Sequence, residues 1–375
     1  MEENCVLKQR SFLLPLGKKA LIVTGRNSAR INGAYDDAVK ALEANGQTHV
    51  LYDQVTANPT DICAAEAGRI ARENGFSFVI GIGGGSPMDT AKAAAILAIN
   101  DISKEEMFTL NFKKALPIIA IPTTAGTGSE TTHYSVLVDT TEPDGKTPKS
   151  GGKIKRTVGS PLVFPQYAFL DAKYMKELNR DITVNTAIDA LSHAVEGMLT
   201  QKTNYISNIL ARESIAMIMD CMDDLLAFPG EPSSFPREKR EKLLLASALG
   251  GMVIAQSGTA APHSMGYQFT LNWGTDHGRA NGLLMKSFLS WCREKEKTVS
   301  YSDPSFIPRI PGVCAALKME LEEFFIILEK LLGQRERASG AELDAWCALP
   351  MKNALTTYIQ PDKEEIFRIF FESVG

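Results

Sequence analysis

No stretch of this sequence approaches 18 apolar residues free of charge, so none reads as a membrane-spanning helix. The opening MEENCVLKQR has no apolar signal core, and a cytoplasmic location is expected. Cysteine is sparse: Cys5, Cys63, Cys221, Cys292, Cys314 and Cys347 are scattered, with no CxxC pair. That suits a reducing compartment with free thiols better than a disulfide frame or a thiolate zinc site. Neither charge dominates, since 40 Lys and Arg against 44 Asp and Glu leave a net charge of −4. A nucleic-acid surface or a polybasic membrane patch is not expected on that balance. Histidine is scarce, with five in 375 residues, so its placement carries information.

What is present is an ordinary globular composition, 44% hydrophobic and 22% charged, long enough for two domains. Over the first half, β-rich runs alternate with helical ones. ALIVTG (Ala20–Gly25), HVLYDQV (His49–Val55), FVIGIGGGS (Phe78–Ser86) and PIIAIPTT (Pro117–Thr124) read as strands. DDAVKALEANG (Asp36–Gly46), DICAAEAGRIARENG (Asp61–Gly75) and PMDTAKAAAILA (Pro87–Ala98) read as the helices between them. Strand–helix alternation with short joints predicts a doubly wound parallel sheet, whose ligands lie beyond the carboxyl ends of the strands. The polar, glycine-rich TTEPDGKTPKSGGKIKR (Thr140–Arg156) reads as a mobile surface hairpin. After Met175 the pattern is helical to the end, with breaks at FPGEPSSFP (Phe228–Pro236) and TYIQPDK (Thr357–Lys363). The expected boundary divides an α/β domain, 1–178, from an all-helical domain, 179–375.

Two glycine loops leave predicted strand ends. GIGGGSPMD contains Gly83, Gly84, Gly85 and Ser86, with Pro87 suited to a first helical turn, and PTTAGTGSE contains Thr123, Thr124 and Thr127. Backbone N–H groups without nearby β-carbons can approach a diphosphate, and a helix dipole adds attraction. Neither loop carries G-x-G-x-x-G or a P-loop Lys-Ser/Thr, so the expectation is a dinucleotide on a variant motif. The first strand ends in Gly25-Arg26 with no acid to hold a ribose 2′-hydroxyl. An arginine there suits a 2′-phosphate, which favours NADP over NAD.

In the helical half, AIDALSHAVEGM places Asp189 and His193 four residues apart, on one helix face. An ordinary surface ion pair would explain that spacing too. AAPHSMGYQF adds His263 and GTDHGRANGLLM adds His277, in segments otherwise poor in charge. Three imidazoles and a carboxylate without thiolate suit a divalent first-row metal: Fe(II), Zn, Mn or Co. His49 and His133 read as structural.

GGGSPMDTAK, IPTTAGTGSE, DALSHAVEG and HGRANGLL, in this order and spacing, resemble the iron-containing (group III) alcohol dehydrogenases over essentially the whole chain. The resemblance implies a dehydroquinate synthase-like architecture, with a Rossmann-like cofactor domain, a helical metal domain and a cleft between them. It implies Asp189, His193, His263 and His277 as ligands of Fe(II), with Zn as a substitute. It implies Gly83, Gly84, Gly85, Ser86, Asp89, Thr123, Thr124, Thr127, Asn58 and Lys155 as holders of NADP or NAD. It also implies a homodimer, with Phe12–Leu16 as the candidate interface strand, and a small alcohol, aldehyde or diol as substrate. Many members carry a second histidine where this chain has Tyr267, so Tyr267 is the candidate proton relay alongside His277. A phenol, with an ordinary pKa near 10, is a poorer shuttle at neutral pH. Lys286 and Ala187 also depart from the family pattern, away from the ligands, while Gly25 stands where NAD-preferring members often have aspartate. Met252, Tyr267, Trp273 and Phe269 are the candidate substrate pocket. Two other readings remain open: a polyol dehydrogenase or phosphate-eliminating lyase of the same architecture, and a metal- and nucleotide-binding protein without turnover.

Overall fold

The computed structural model describes residues 1–141, 153–349 and 351–375. The chain divides into two compact units, Met1–Leu178 with Pro236–Leu244, and Asn179–Phe235 with Leu245–Gly375. A single cut at 178 therefore does not capture Pro236–Leu244. Arg237 ties that segment to Glu3 at 3.0 Å, and Arg240 donates to the Leu178 carbonyl at 3.2 Å.

In the first unit, β1 (Lys19–Gly25), β2 (Thr48–Val55), β3 (Phe78–Gly83), β4 (Ile118–Pro122) and a two-residue edge, later in the chain, build one parallel sheet. A separate antiparallel pair joins β5 (Tyr134–Asp139) to β6 (Ile154–Gly159), and the sheet's edge strand is β7 (Tyr167–Ala168). The sheet order is β2-β1-β3-β4-β7. The chain passes from β1 outward to β2 and then returns to the other side of β1 at β3. That reversal makes β1/β3 the switch point where such sheets take ligands. β3 and β4 are buried at every position, as continuous apolar runs in a covered parallel sheet must be.

The Gly85–Leu97 helix is buried along nearly all its length, which its run of alanines permits by allowing close approach on both sides. Of the Thr140–Arg156 expectation, Ile154–Arg156 is strand, paired with Leu137–Asp139, while 142–152 lie outside the described residues. The N-terminal segment corrects the sequence reading: Arg10–Leu16 is a 3-10 helix, not a strand. Pro15 lies inside it, and a proline lacks the N–H that a pairing strand needs.

The second unit is helical. Its principal elements are the helices Arg180–Met198, Tyr205–Met219, Ala261–Asn272, His277–Ser302, Leu321–Leu332 and Lys363–Val374. Both expected breaks are present, at a 3-10 turn Pro232–Ser234 and between Thr356 and Lys363. Gly278 lets the His277 helix press against the Arg180–Met198 helix. A β-carbon there would lie 1.8 Å from the Asn185 carbonyl and 2.9 Å from Asp189 Cβ. Among the described residues no single helix is long and apolar enough to cross a membrane.

Candidate active site

Three of the four expected ligands converge. One ligand atom each of Asp189, His263 and His277 lies within 4.8 Å of the others. The fourth, His193, places Nε2 4.0 Å from Asp189 Oδ1, one helical turn away, and stacks on His263 with centroids 4.7 Å apart. From the same Oδ1, His263 Nε2 is at 4.0 Å and His277 Nε2 at 3.9 Å. The separations among Asp189, His263 and His277 match the spacing of donors around one first-row ion, and His193 lies beside them, so the chemistry of the donor set fits the expected metal. Asp189, His193 and His263 are buried, while the His277 side chain is 28% exposed and forms the open side. His277 opens its helix, His263 follows Pro262 in the first turn of its own, and the tertiary packing brings three helices' side chains together.

Sequence reasoning missed two neighbours. Asn281 Nδ2 donates to Asp189 Oδ1 at 3.2 Å and lies 3.2 Å from His263 Nε2. Glu196, fully buried, lies 2.7 Å from His263 Nδ1 and accepts from the Ala260 N–H at 2.9 Å. The available signal was spacing: Asn281 is four residues beyond His277, and Glu196 is three beyond His193 on the ligand face. Tyr267 stacks on His277, centroids 5.8 Å apart. Phe269 departs from the pocket expectation. It is fully buried against Trp273, Trp346 and Phe370, so it belongs to the core. Trp273 donates to Glu342 from its indole nitrogen.

In the first unit the nucleotide candidates gather at the carboxyl edge of the sheet. Register pairs Thr24 with Ile82 and Gly83 with Pro122, so the segments after β1, β3 and β4 leave side by side. Those segments carry Gly25 and Arg26, Gly83 to Ser86, and Thr123 to Thr127. Asn58, three residues after β2, adopts a left-handed φ of 55°, which asparagine tolerates. Gly83 ends the strand at φ 147°, Gly84 caps the helix and Gly85 opens it. The two loops pack together. A β-carbon on Gly84 would meet Thr124 Oγ1 at 3.0 Å, and one on Gly85 would meet Thr127 Cγ2 at 3.0 Å.

Asp89 faces inward, accepting from Ser129 Oγ at 2.7 Å and from the Val136 N–H at 2.9 Å. Both its oxygens fasten the helix to the second loop and to β5. Lys155 sits on β6 opposite Val138. Beneath the loops lies a group the sequence did not reveal. Lys92 is fully buried, donating to the Ser129 carbonyl, Ser129 Oγ, Thr132 Oγ1 and the Tyr134 carbonyl at 2.7–3.1 Å. Burial lowers its pKa to about 8. Nearby Glu130 is likewise buried and raised to about 7. Its Oε1 has no hydrogen-bond partner among the described residues. His133, which reads as structural, lies against Tyr134 and Phe164, and His49 Nε2 is 3.3 Å from the Tyr35 hydroxyl.

Comparison with known proteins agrees with both halves. Residues 1–172 match the family model described as iron-containing alcohol dehydrogenase, and residues 183–323 match the C-terminal model of the Fe-containing alcohol dehydrogenase family. A solved iron-containing alcohol dehydrogenase of Thermotoga maritima is 35% identical, with TM-score 0.85, over 100% of this chain and 96% of that one. Lactaldehyde reductase of Escherichia coli is 30% identical over 272 residues, 72% of this chain and 66% of its own length. The long-chain primary alcohol dehydrogenase of Thermoanaerobacter ethanolicus is 37% identical over 235 residues, 62% of this chain. That match spans 55% of the relative's own length. The chain belongs to the iron-containing alcohol dehydrogenase family.

Proposed function

We propose that this protein catalyses reversible hydride transfer between a nicotinamide cofactor, NADP in preference to NAD, and a small primary alcohol, aldehyde or diol. Its metal is Fe(II), with Zn as a substitute, held by Asp189, His193, His263 and His277. The observation that carries this reading is the convergence of Asp189, His263 and His277, with His193 4.0 Å from the same carboxylate. When bound, the ion supplies Lewis-acid polarisation of the substrate oxygen, and the nicotinamide carries the hydride.

The protein's own residues do the rest. Buried Asp189, His193 and His263 hold their donors in place, while the partly exposed His277 leaves one side accessible to substrate. Tyr267, stacked on His277, passes the hydroxyl proton toward solvent. The N–H groups of Gly84, Gly85 and Ser86 receive the diphosphate, with Thr123, Thr124 and Thr127 from the adjoining loop and Asn58 and Lys155 beside them. Asp89 acts by fastening that helix start to the second loop. Gly25 and Arg26 select the adenosine end. Arg26 is exposed, and no acid follows β1 to repel a 2′-phosphate. The names of the lactaldehyde reductase and of a 1,3-propanediol oxidoreductase, 25% identical with TM-score 0.81, support short hydroxylated substrates. A homodimer and a cytoplasmic location complete the reading.

An anionic substrate of the phosphate-eliminating kind is disfavoured by the ion pairs. Arg279 is held by Glu336 at 2.9 Å and Lys286 by Glu329 at 2.7 Å, so both cations are already neutralised. The test is anaerobic reconstitution of metal-free protein with Fe(II) or Zn(II). Reduced-nicotinamide absorbance is then followed with NADP and NAD over short alcohols and diols. Turnover with Fe(II), faster with NADP, supports the proposal. Tight metal binding without turnover on any alcohol would replace it with the non-catalytic reading.

A further inference from the structure

The Arg180–Met198 helix presents Asp189, His193 and Glu196 at spacings of four and three, which places all three on one face. Two of them are candidate ligands. Glu196 is not, since its carboxylate is turned to the far side of His263. Oε1 lies 2.7 Å from His263 Nδ1, and Oε2 accepts from the Ala260 backbone N–H at 2.9 Å. The residue is 2% exposed, so both contacts are sheltered from bulk solvent.

We propose that Glu196 is a positioning residue that fixes the tautomer and direction of the His263 ring, leaving Nε2 unprotonated toward the metal site. The proposal rests on the reading of Asp189, His193, His263 and His277 as ligands. A carboxylate at 2.7 Å from Nδ1 and the Asn281 amide nitrogen at 3.2 Å from Nε2 set an acceptor against the first ring nitrogen and a donor against the second, the arrangement that matches a ring protonated on Nδ1 with its lone pair on Nε2. That Nε2 lies 4.0 Å from Asp189 Oδ1, on the side where the other ligand atoms gather. A carboxylate set behind a ligating imidazole also raises its basicity and holds its plane, which strengthens metal binding.

The geometry explains why glutamate, and not its isosteric amide, is needed. Two donors, His263 Nδ1–H and Ala260 N–H, converge on two oxygens of one side chain. Glutamine has one oxygen. Facing it toward Ala260 turns its NH2 onto Nδ1 and forces the proton to Nε2, where it blocks coordination. Facing it toward His263 instead sets NH2 against the Ala260 N–H, two donors without an acceptor. Either arrangement costs the site something that a carboxylate supplies at once.

The experiment compares metal-free wild type and Glu196→Gln for Zn(II) affinity by chelator competition. Far-UV circular dichroism confirms that both are folded. The expected result is a loss of about 10–100-fold in affinity for E196Q with the spectrum retained. Equal affinity in a folded E196Q would overturn the proposal and leave Glu196 as a helix cap for Ala260. A wild type that binds no stoichiometric Zn(II) would instead overturn the ligand reading beneath it. If E196Q does not fold, the wild type still decides by 15N spectra of histidine-labelled, metal-free protein. With five histidines in the chain, the His263 signal is identified by its loss in His263→Gln. An Nδ1-protonated His263 supports the proposal, and an Nε2-protonated one refutes it.

Discussion

The ring of Tyr267 stacks on that of His277, with centroids 5.8 Å apart and planes inclined by 28°. A phenol so placed lies beside the most exposed of the four candidate ligands, on the route proposed for the substrate proton. Tyr267→Phe keeps the stack and removes the hydroxyl. Turnover is expected to fall by about 100-fold or more with metal content per chain unchanged. A kcat equal to wild type across the pH range would show that the proton leaves by another route.

His277 is the candidate ligand whose removal should disturb packing least, because its side chain is 28% exposed against 3–5% for the other three. His277→Ala should lower kcat/KM by more than about 100-fold and reduce bound iron per chain, while the unfolding temperature of metal-free protein stays close to wild type. Chelation of the wild type should produce the same loss, reversed by Fe(II). Full activity after complete metal removal would contradict the metal role.

Neighbouring loop glycines should fail in different ways. At Gly83, φ is 147° and a β-carbon would lie 2.7 Å from Pro87 Cγ, so Gly83→Ala should cost about 1–3 kcal/mol of stability. At Gly85 the added carbon meets Thr127 at 3.0 Å, on the loop pair assigned to the diphosphate. Gly85→Ala should chiefly weaken cofactor binding, by about 10-fold for one perturbed charged hydrogen bond. Calorimetry and cofactor titration of the two variants separate the effects, and an unchanged cofactor affinity in G85A would count against the loop assignment.

Arg26 bears on cofactor choice. Arg26→Ala should reduce kcat/KM with NADP by about 10-fold, the value of one charge-assisted contact, and leave NAD within about twofold. Equal losses with both cofactors would mean that Arg26 does not read the 2′-phosphate.

Glu130 gives a pH signature. Burial raises its pKa from an ordinary 4.5 to about 7, so between these values the folded state holds a proton that the unfolded state has released. Stability contributed by this group is therefore present below pH 4.5 and lost as pH rises to 7. Glu130→Gln cannot ionise, so its stability relative to wild type should increase over that interval, by on the order of 2–3 kcal/mol. Denaturant melts at pH 5 and pH 7.5 measure it. Lys92 has the opposite slope at higher pH. Its pKa, lowered to about 8, means that stability recovers as pH rises from 8 toward 10.5. A Glu130→Gln difference that is flat with pH would show the carboxyl to be solvated.

Local pattern made much of this protein legible. β1, β3 and β4 follow from continuous apolar runs ending at glycine or proline, β2 from a β-rich run broken by polar residues, and Asp61–Asn74 from its Thr60 cap and Gly75 stop. The glycine loop was legible as a loop but not in its bounds: the helix begins at Gly85, two residues before Pro87. β7 was not legible, since two residues carry no periodicity and become strand only by pairing with Ile119 and Ala120. Phe269 read as a pocket residue because hydrophobicity says nothing of which face a helix turns inward when both sides are covered.

The sequence by itself determined the parallel α/β half, the helical half and the four ligand candidates, because repeating local chemistry writes those features into neighbouring residues. Tertiary structure alone decided that Asp189, His263 and His277 meet, with up to 88 residues of chain between them. It also decided that Glu196 backs His263 across 67 positions, and that Lys92 and Glu130 are titratable groups sealed beneath a loop. Burial and direction arise only when distant helices pack, and hydrogen bonds and pKa values follow from burial and direction.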